Sequence, residues 1–290
     1  MSLRHAFVPV DGLSLFVLTA GENRLPLLIL HGFASSALTW VPVIRALATD
    51  RMVVAYDRPG FGLTQVRVDR WRGRDPYAPS AQTAIALALA DCLGLTGFVV
   101  LGHSMGARLA YELALASPGR IRGLAVVAPA WTRPSAPRLA PLLRTRIARA
   151  AAHRLLRLCS PIVQRAAQRV LWAGSPPPGS TAHEAAVASI AGWEERLWHV
   201  TTASLAESRA EPPLRPPTVP TMVILGEHDR VVPNQRTLDI VTAWNAAGTP
   251  VEIRRFTRSG HLPHVEEFER FIEEVRTFLE EVNHAAAPGR

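Results

Sequence analysis

The chain contains no lysine. All 32 of its basic residues are arginine, set against 24 acidic ones for a formal charge of +8 at neutral pH. Uniform use of arginine, with abundant alanine and proline, reads as compositional bias rather than as a binding device. No nucleic-acid reader motif occurs, nor any basic run interleaved with aromatics, so no nucleic-acid partner is expected. Long apolar runs are also missing. The most apolar stretch, Ala84 to Leu95, is too short to span a bilayer and carries Asp91. The N-terminal "MSLRHAFVPVDG" lacks the apolar core of a signal peptide, which points to a cytoplasmic protein. Cysteine is nearly absent. Cys92 and Cys159 stand far apart, form no CxxC and lie in apolar helical patterns, which reads as two buried free thiols.

What is present is an apolar fraction of 48% over 290 residues. That excludes global disorder and suits one large domain, or one domain with an inserted piece. "HAFVPVDGLSLFVLTAG" reads as two short strands around a turn at Asp11-Gly12. "LPLLILHGF", "RMVVAYD", "FVVLG" and "IRGLAVVAPA" are continuous apolar runs, as expected of strands buried on both faces. Helical patterns at Trp40–Thr49, Ala81–Leu95 and Met105–Ala116 alternate with them. The alternation stops between Trp131 and about Pro213, where helical patterns occur without a strand. It resumes with "TMVILGEHD", a helix over Asn234–Ala246, "VEIRRFT" and a helix over Val265–Glu281. Alternating strands and helices imply a mostly parallel central sheet flanked by helices, an α/β fold. Residues 1–130 and 214–290 would form the core and 131–213 a helical insertion, with the proline-rich "EPPLRPPTVP" leading back from it.

"GHSMG" stands where the strand ending at Gly102 gives way to the helix starting at Met105. A serine hydroxyl is a poor nucleophile unless a base takes its proton and donors hold the resulting oxyanion. A sharp strand-to-helix turn lifts the hydroxyl to the sheet edge. It also needs small residues two positions away on each side, as Gly102 and Gly106 provide. By composition alone G-x-S-x-G arises in roughly one chain in ten of this length, so the strand–turn–helix context carries the weight. Ser104 is the candidate nucleophile.

A base should follow the last strand. "RRFTRSGHLPHVEE" offers His261 behind Ser259-Gly260, whereas His264 falls at the start of the next helix and is read as structural. Nothing completes a metal site around this His-x-x-His. An acid must orient the base. In "VILGEHDRVVP", Asp229 lies just past a strand end, with Glu227 structural and His228 a spacer. The order Ser, Asp, His is the one expected of this architecture. Two backbone donors complete the set: the N–H of Met105 after the nucleophile, and that of Phe33 in "HGFASS" after the earlier strand. His31 is read as a brace for that loop. No cofactor and no metal are expected.

With these motifs in hand, the chain resembles the α/β-hydrolase superfamily, and within it the serine-nucleophile members that carry a helical cap. "HGF", "DRPGFG", "GHSMG", "GEHD" and "SGHLPHVEE" occur in the family's order, and the likeness covers everything outside 131–213. It implies the α/β-hydrolase fold with 131–213 as a cap, and roles for Ser104, Asp229, His261, Phe33 and Met105 as assigned above. "DRPGFG" resembles the family's structural loop after the fourth strand, which makes Asp57 and Arg58 scaffold. Gln65 stands where a dinucleotide fingerprint would need a third glycine. Haloalkane dehalogenases and epoxide hydrolases carry aspartate in place of Ser104. Many esterase-like members read Ser-Met-Gly-Gly, where this chain has Ala107 followed by Arg108.

The expected activity is cofactor-independent cleavage of a carboxylic ester or related acyl substrate with an apolar part. The alternatives are a carbon–carbon bond hydrolase of diketo acids resembling ring-cleavage products, or a cofactor-free lyase or perhydrolase on the same triad. A receptor that uses the pocket only for binding is a reading from another class. Between Trp131 and His183 the chain has nine arginines and no acidic residue, with Leu139, Leu143, Ile147 and Leu158 at helical spacing. This amphipathic stretch reads first as a solvated outer face. A peripheral contact with an anionic membrane and attraction of anionic substrates are the functional readings. Trp172, Trp193 and Trp198 are expected to pack the insertion or line the cleft. The oligomeric state is open.

Overall fold

A strand that is apolar on both faces must be covered on both, and each inner strand here divides its side chains between two cores. The computed structural model describes residues 2–22, 24–66, 73–131, 154, 169–180, 186, 189–190, 192–207 and 214–286. The strands are β1 (Arg4–Val10), β2 (Leu13–Ala20), β3 (Leu27–Leu30), β4 (Val53–Tyr56), β5 (Gln65–Val66), β6 (Phe98–His103), β7 (Ile121–Val127), β8 (Thr221–Gly226) and β9 (Glu252–Phe256). They lie in the order β1-β2-β4-β3-β6-β7-β8-β9, with β5 paired to β2. β2 pairs antiparallel with β1, β4 and β5, and every pair from β4 to β9 is parallel.

Leu28, Leu30, Phe98, Val100, Val223 and Leu225 face one core. It is closed by α2 (Pro79–Cys92), α3 (Met105–Ala116) and α5 (Gln235–Ala246) through Ile85, Leu89, Leu109, Leu113, Val241 and Trp244. Leu27, Ile29, Val99, Leu101, Met222 and Ile224 face the other. There α1 (Val41–Leu47) and α7 (Phe268–Ala286) supply Val43, Ile44, Leu47, Phe271, Val275 and Leu279. This two-sided burial is why the strands read as unbroken apolar runs rather than as alternating ones. Between β7 and β8 the chain adds α4 (Trp193–Glu207).

The structure departs from the sequence reading in five places. The short strand β5 lies outside the runs read as strands. A 3-10 turn over Ala37–Trp40 precedes α1, and α2 starts two residues early, on Pro79. The helix expected over Val265–Glu281 is two helices, α6 (Pro263–Glu266) and α7. They part at Glu267, whose buried carboxylate turns back to accept the Ser259 hydroxyl (2.7 Å) and the Arg258 N–H (3.0 Å). Cys92 is exposed rather than buried. It ends α2 beside the edge strand β1, its Sγ 3.8 Å from the Pro9 carbonyl. Cys159 lies outside the described residues, as do most of the arginines between 131 and 183. Arg154 and Arg169 are described and exposed.

Candidate active site

β6 ends at His103 and α3 begins at Met105, so Ser104 alone makes the turn, at φ 53° and ψ −118°. Left-handed backbone at a residue with a Cβ is strained, and here the close packing of strand and helix holds it. A Cβ on Gly102 would lie 2.3 Å from the Gly106 carbonyl oxygen, and one on Gly106 would lie 2.2 Å from that of Leu30. Side chains at either position would push the helix off the sheet. Ser104 therefore stands at the carboxyl edge of β6, beside the N-terminal end of α3.

Asp229 and His261 come to the same edge from the loops after β8 and β9. The His261 Nδ1–H donates to Asp229 Oδ2 at 2.8 Å, with both side chains almost wholly buried. A carboxylate can only accept, so Nδ1 carries the proton and Nε2 is left with a lone pair. Asp229 Oδ1 accepts the N–H groups of Val231 (2.8 Å) and Val232 (2.9 Å), which fixes the carboxylate in the turn. Glu227 and His228 point outward, while their N–H groups bond to Phe256 and Ser259 carbonyls and stitch the acid-bearing turn to the loop after β9. Ser104 Oγ and His261 Nε2 are not hydrogen-bonded in the structure. Proximity comes through the neighbouring residue: the rings of His103 and His261 are 4.8 Å apart.

The loop after β3 passes beside Ser104. A Cβ on Gly32 would fall 3.3 Å from that of Ser104, so Phe33 follows directly beside that serine. Arg58 and His31 hold this loop. The guanidinium donates to the carbonyls of His31 (3.0 Å) and Gly32 (3.0 Å), and the Arg58 N–H donates to His31 Nε2 (3.1 Å). His31 Nδ1 must then carry the proton, which it donates to the Gly32 carbonyl at 2.8 Å. Burial, followed by the positive charge of Arg58, holds the His31 pKa well below its usual value, so the brace is a neutral imidazole. With the carbonyls of His31 and Gly32 occupied, the N–H of Phe33 remains without a partner among the described residues, as does that of Met105 at the start of α3. Asp57 accepts the N–H groups of Ala37 (2.6 Å) and Leu63 (2.7 Å), and burial raises its pKa to about 6. Asp57, Arg58 and His31 are thus scaffold.

Sequence reasoning passed over His103. It donates from Nε2 to the His261 carbonyl at 2.8 Å, and burial, reinforced by His261, depresses its pKa to about 3. It occupies a variable position of G-x-S-x-G, so no spacing rule singles it out. His264 is buried and stacks on Trp40 with ring centroids 4.2 Å apart and planes 2° from parallel. Burial keeps it neutral, and it plays a packing role. Ala107 is wholly buried in α3. Arg108 bonds Glu112 (2.8 Å) and the carbonyl of Trp131 (2.7 Å), where the chain leaves the core.

The described part of the insertion lies over this edge. Leu197 and Val200 of α4 pack on Phe61, with Ala34, Met105 and Trp193 around them. Arg196 donates to the Gly62 carbonyl at 3.0 Å, and Glu207 accepts from the N–H and hydroxyl of Ser80 at the start of α2. Trp172 is buried and Trp198 half-buried. The Phe33 ring stands edge-on to Phe61 at 5.7 Å and is 45% exposed, which leaves an apolar face open beside Ser104.

A family model described as "Alpha/beta hydrolase family" matches residues 27–274. The chain is 28% identical to the 2-hydroxymuconate semialdehyde hydrolase of Pseudomonas sp. (strain CF600) over 268 residues, 90% of this chain and 89% of that protein. Among solved structures, the 2-hydroxy-6-oxo-6-phenylhexa-2,4-dienoate hydrolase of Rhodococcus sp. strain RHA1 superposes with a TM-score of 0.75 at 22% identity, over 96% of this chain and 99% of that one. An esterase from Exiguobacterium antarcticum gives a TM-score of 0.75 at 19% identity, over 96% and 100%. At these identities the two structures speak for the fold, which a dienoate hydrolase and an esterase share.

Proposed function

The chain belongs to the alpha/beta hydrolase family and is an enzyme of the hydrolase type, and from that premise we propose that it cleaves a carboxylic ester or related acyl substrate through an acyl-enzyme on Ser104. The observation that carries the reading is the 2.8 Å Nδ1–H bond of His261 to a buried Asp229, at the sheet edge where Ser104 makes the strained turn.

Ser104 Oγ attacks the carbonyl carbon as its proton passes to His261 Nε2. The Ser104–His261 bond forms as substrate is seated, since hydrogen bonds of this kind often tighten only in the reacting complex. Asp229 keeps Nδ1 protonated and stabilises the imidazolium. The N–H groups of Phe33 and Met105 receive the negative oxygen of the tetrahedral intermediate. The leaving oxygen takes the Nε2 proton as the carbon–oxygen bond breaks. Water, deprotonated by Nε2, then attacks the acyl-enzyme, and the Ser104 oxygen leaves with that proton. Residues 131–213 serve as a cap over the site, and the open face of Phe33 favours a substrate with an apolar part.

A fluorophosphonate probe should label Ser104, and Ser104→Ala should lose on the order of 10⁶-fold in kcat. Full activity in Ser104→Ala refutes the reading. A second reading, hydrolysis of a carbon–carbon bond in a vinylogous diketo acid, draws on the relative from Pseudomonas that matches nine-tenths of the chain. Turnover of such acids without turnover of simple esters decides for it.

A further inference from the structure

Resting on the serine-hydrolase reading, the geometry points to Glu266 as a positioning residue that couples the seating of the insertion to the placement of His261. Glu266 belongs to the short helix α6 and bonds to neither the His261 ring nor Asp229. Its Oε1 accepts the N–H groups of Gly260 (2.8 Å) and Leu262 (3.3 Å), the residues on either side of His261. Its Oε2 accepts the N–H of Ala173 (2.7 Å), which lies in the insertion. Two residues earlier, the carbonyl of Leu171 accepts the N–H of His261 itself at 2.8 Å. One carboxylate therefore grips the loop on both sides of the base and also the strand of chain that receives the base's own N–H.

The contact leaves little slack. A Cβ on Gly260 would come within 2.7 Å of the Ala173 nitrogen and 2.8 Å of the Leu171 oxygen, so the two backbones touch directly. Trp172, between them in sequence, is buried and anchors the segment. His103 holds the remaining backbone group of His261, its carbonyl. The segment 171–173 holds the N–H of His261, as His103 holds its carbonyl and Asp229 its ring, and Glu266 is the group that joins that segment to the other side of the loop. When that segment shifts, the imidazole shifts with it.

The test uses the full chain with p-nitrophenyl butyrate and a fluorophosphonate probe. Glu266→Gln keeps a carbonyl for Gly260 and Leu262 but sets an NH₂ against the Ala173 N–H. Glu266→Ala removes all three bonds. Glu266→Gln should lose about tenfold and Glu266→Ala about 100-fold in kcat, as small misplacements remote from the chemistry do. KM should stay within about twofold, and the rate of probe labelling should fall with kcat while its stoichiometry stays complete. A folded variant of either kind with kcat within about twofold of wild type overturns the proposal, as does a rise in KM with kcat kept. If Glu266→Ala does not fold, Glu266→Gln decides. If neither folds, Glu266 serves stability alone and the proposal fails. Wild-type protein that the probe does not label at Ser104 overturns the serine-hydrolase reading itself. A labelled wild type with an unimpaired Glu266→Gln overturns only the role of Glu266.

Discussion

Replacing Asp229 by asparagine should disable the base while leaving the fold intact, and the structure says why. Asp229 Oδ1 accepts two backbone N–H groups and Oδ2 accepts the His261 Nδ1–H. An asparagine side chain has one oxygen to serve both sides. With its oxygen on Val231 and Val232, two bonds survive and the NH₂ faces His261. In the opposite orientation the NH₂ meets two N–H donors and only one bond survives. Val231 is partly open to water, so the difference sits at the low end for unsatisfied groups, about 2 kcal/mol, or roughly thirtyfold in population.

In the favoured orientation the NH₂ donates to Nδ1, which must then be the bare nitrogen. The proton moves to Nε2, the atom that accepts from Ser104 in the proposed mechanism. The tautomer preference and the lost stabilisation of the imidazolium together predict a fall in kcat of about 10³- to 10⁴-fold, or roughly 4–5 kcal/mol in the barrier. The urea midpoint should stay near wild type. Steady-state ester hydrolysis measures the first effect, and ¹⁵N NMR of labelled histidine reads which ring nitrogen is protonated. A folded Asp229→Asn enzyme within tenfold of wild type, or one whose His261 still carries its proton on Nδ1, refutes the reasoning.

Stability should decline on the acid side of neutrality. His31, His103 and His264 are held neutral in the folded state, so below about pH 6.5 the unfolded chain takes up protons that the native one refuses. Asp57 opposes them: with its folded pKa raised to about 6, its contribution is fully present only below the ordinary carboxylate pKa and is lost as pH rises through 6. Three against one leaves a loss of about 3 kcal/mol per pH unit between about pH 6 and 4, and urea midpoints that do not move between pH 7 and 5 would count against it. Gly102→Ala, whose new methyl would sit 2.3 Å from the Gly106 carbonyl oxygen, should lower stability by about 1–3 kcal/mol and abolish most turnover. Gly119→Ala, which meets nothing within 4 Å, is the neutral control, and equal urea midpoints for the two defeat the packing account. The nine arginines between 131 and 183, with no acidic residue among them, carry the proposal of a peripheral membrane contact. It predicts co-sedimentation with anionic vesicles at low salt and release at high salt, and no pelleting at low salt removes it.

The strands, and the places where chemistry could sit, were legible because each rests on a local rule. Leu27–Leu30, Phe98–His103 and Thr221–Gly226 are buried throughout, and nearly all apolar, because helices cover both faces of their sheet. Ser104 follows β6 directly, and Asp229 and His261 lie in the loops just after β8 and β9, which brings them to one edge whatever the intervening chain does. Cys92 was misread because its helix keeps an apolar pattern into a last turn that lies beside the edge strand, where the exposed Asp91 next to it was the better signal. The two-residue β5 was not legible. Its neighbour Leu63 is held by the buried Asp57, and the hydroxyl of Thr64 bonds both the Asp57 carbonyl and the Phe16 N–H. Nothing in the composition of Gln65–Val66 marks it as a strand.

What sequence could not give is a set of contacts made through backbone groups. Every residue except proline carries an N–H and every residue a C=O, so residue type leaves no trace of which of them a side chain will seek. Glu267 breaks the expected helix by turning to Arg258 and Ser259, and Glu266 reaches Gly260, Leu262 and Ala173. His103 closes on the carbonyl of His261, and His31 and Arg58 on those of the loop at Phe33. The proposed reacting groups are few and chemically distinctive, so they stand out as candidates. The groups that hold them in place act on a featureless partner, and only the folded chain shows which partner it is. Substitutions at these supporting positions should therefore lower turnover far more than residue-type patterns would suggest. Those at exposed neighbours such as Glu227 and His228 should leave it nearly unchanged.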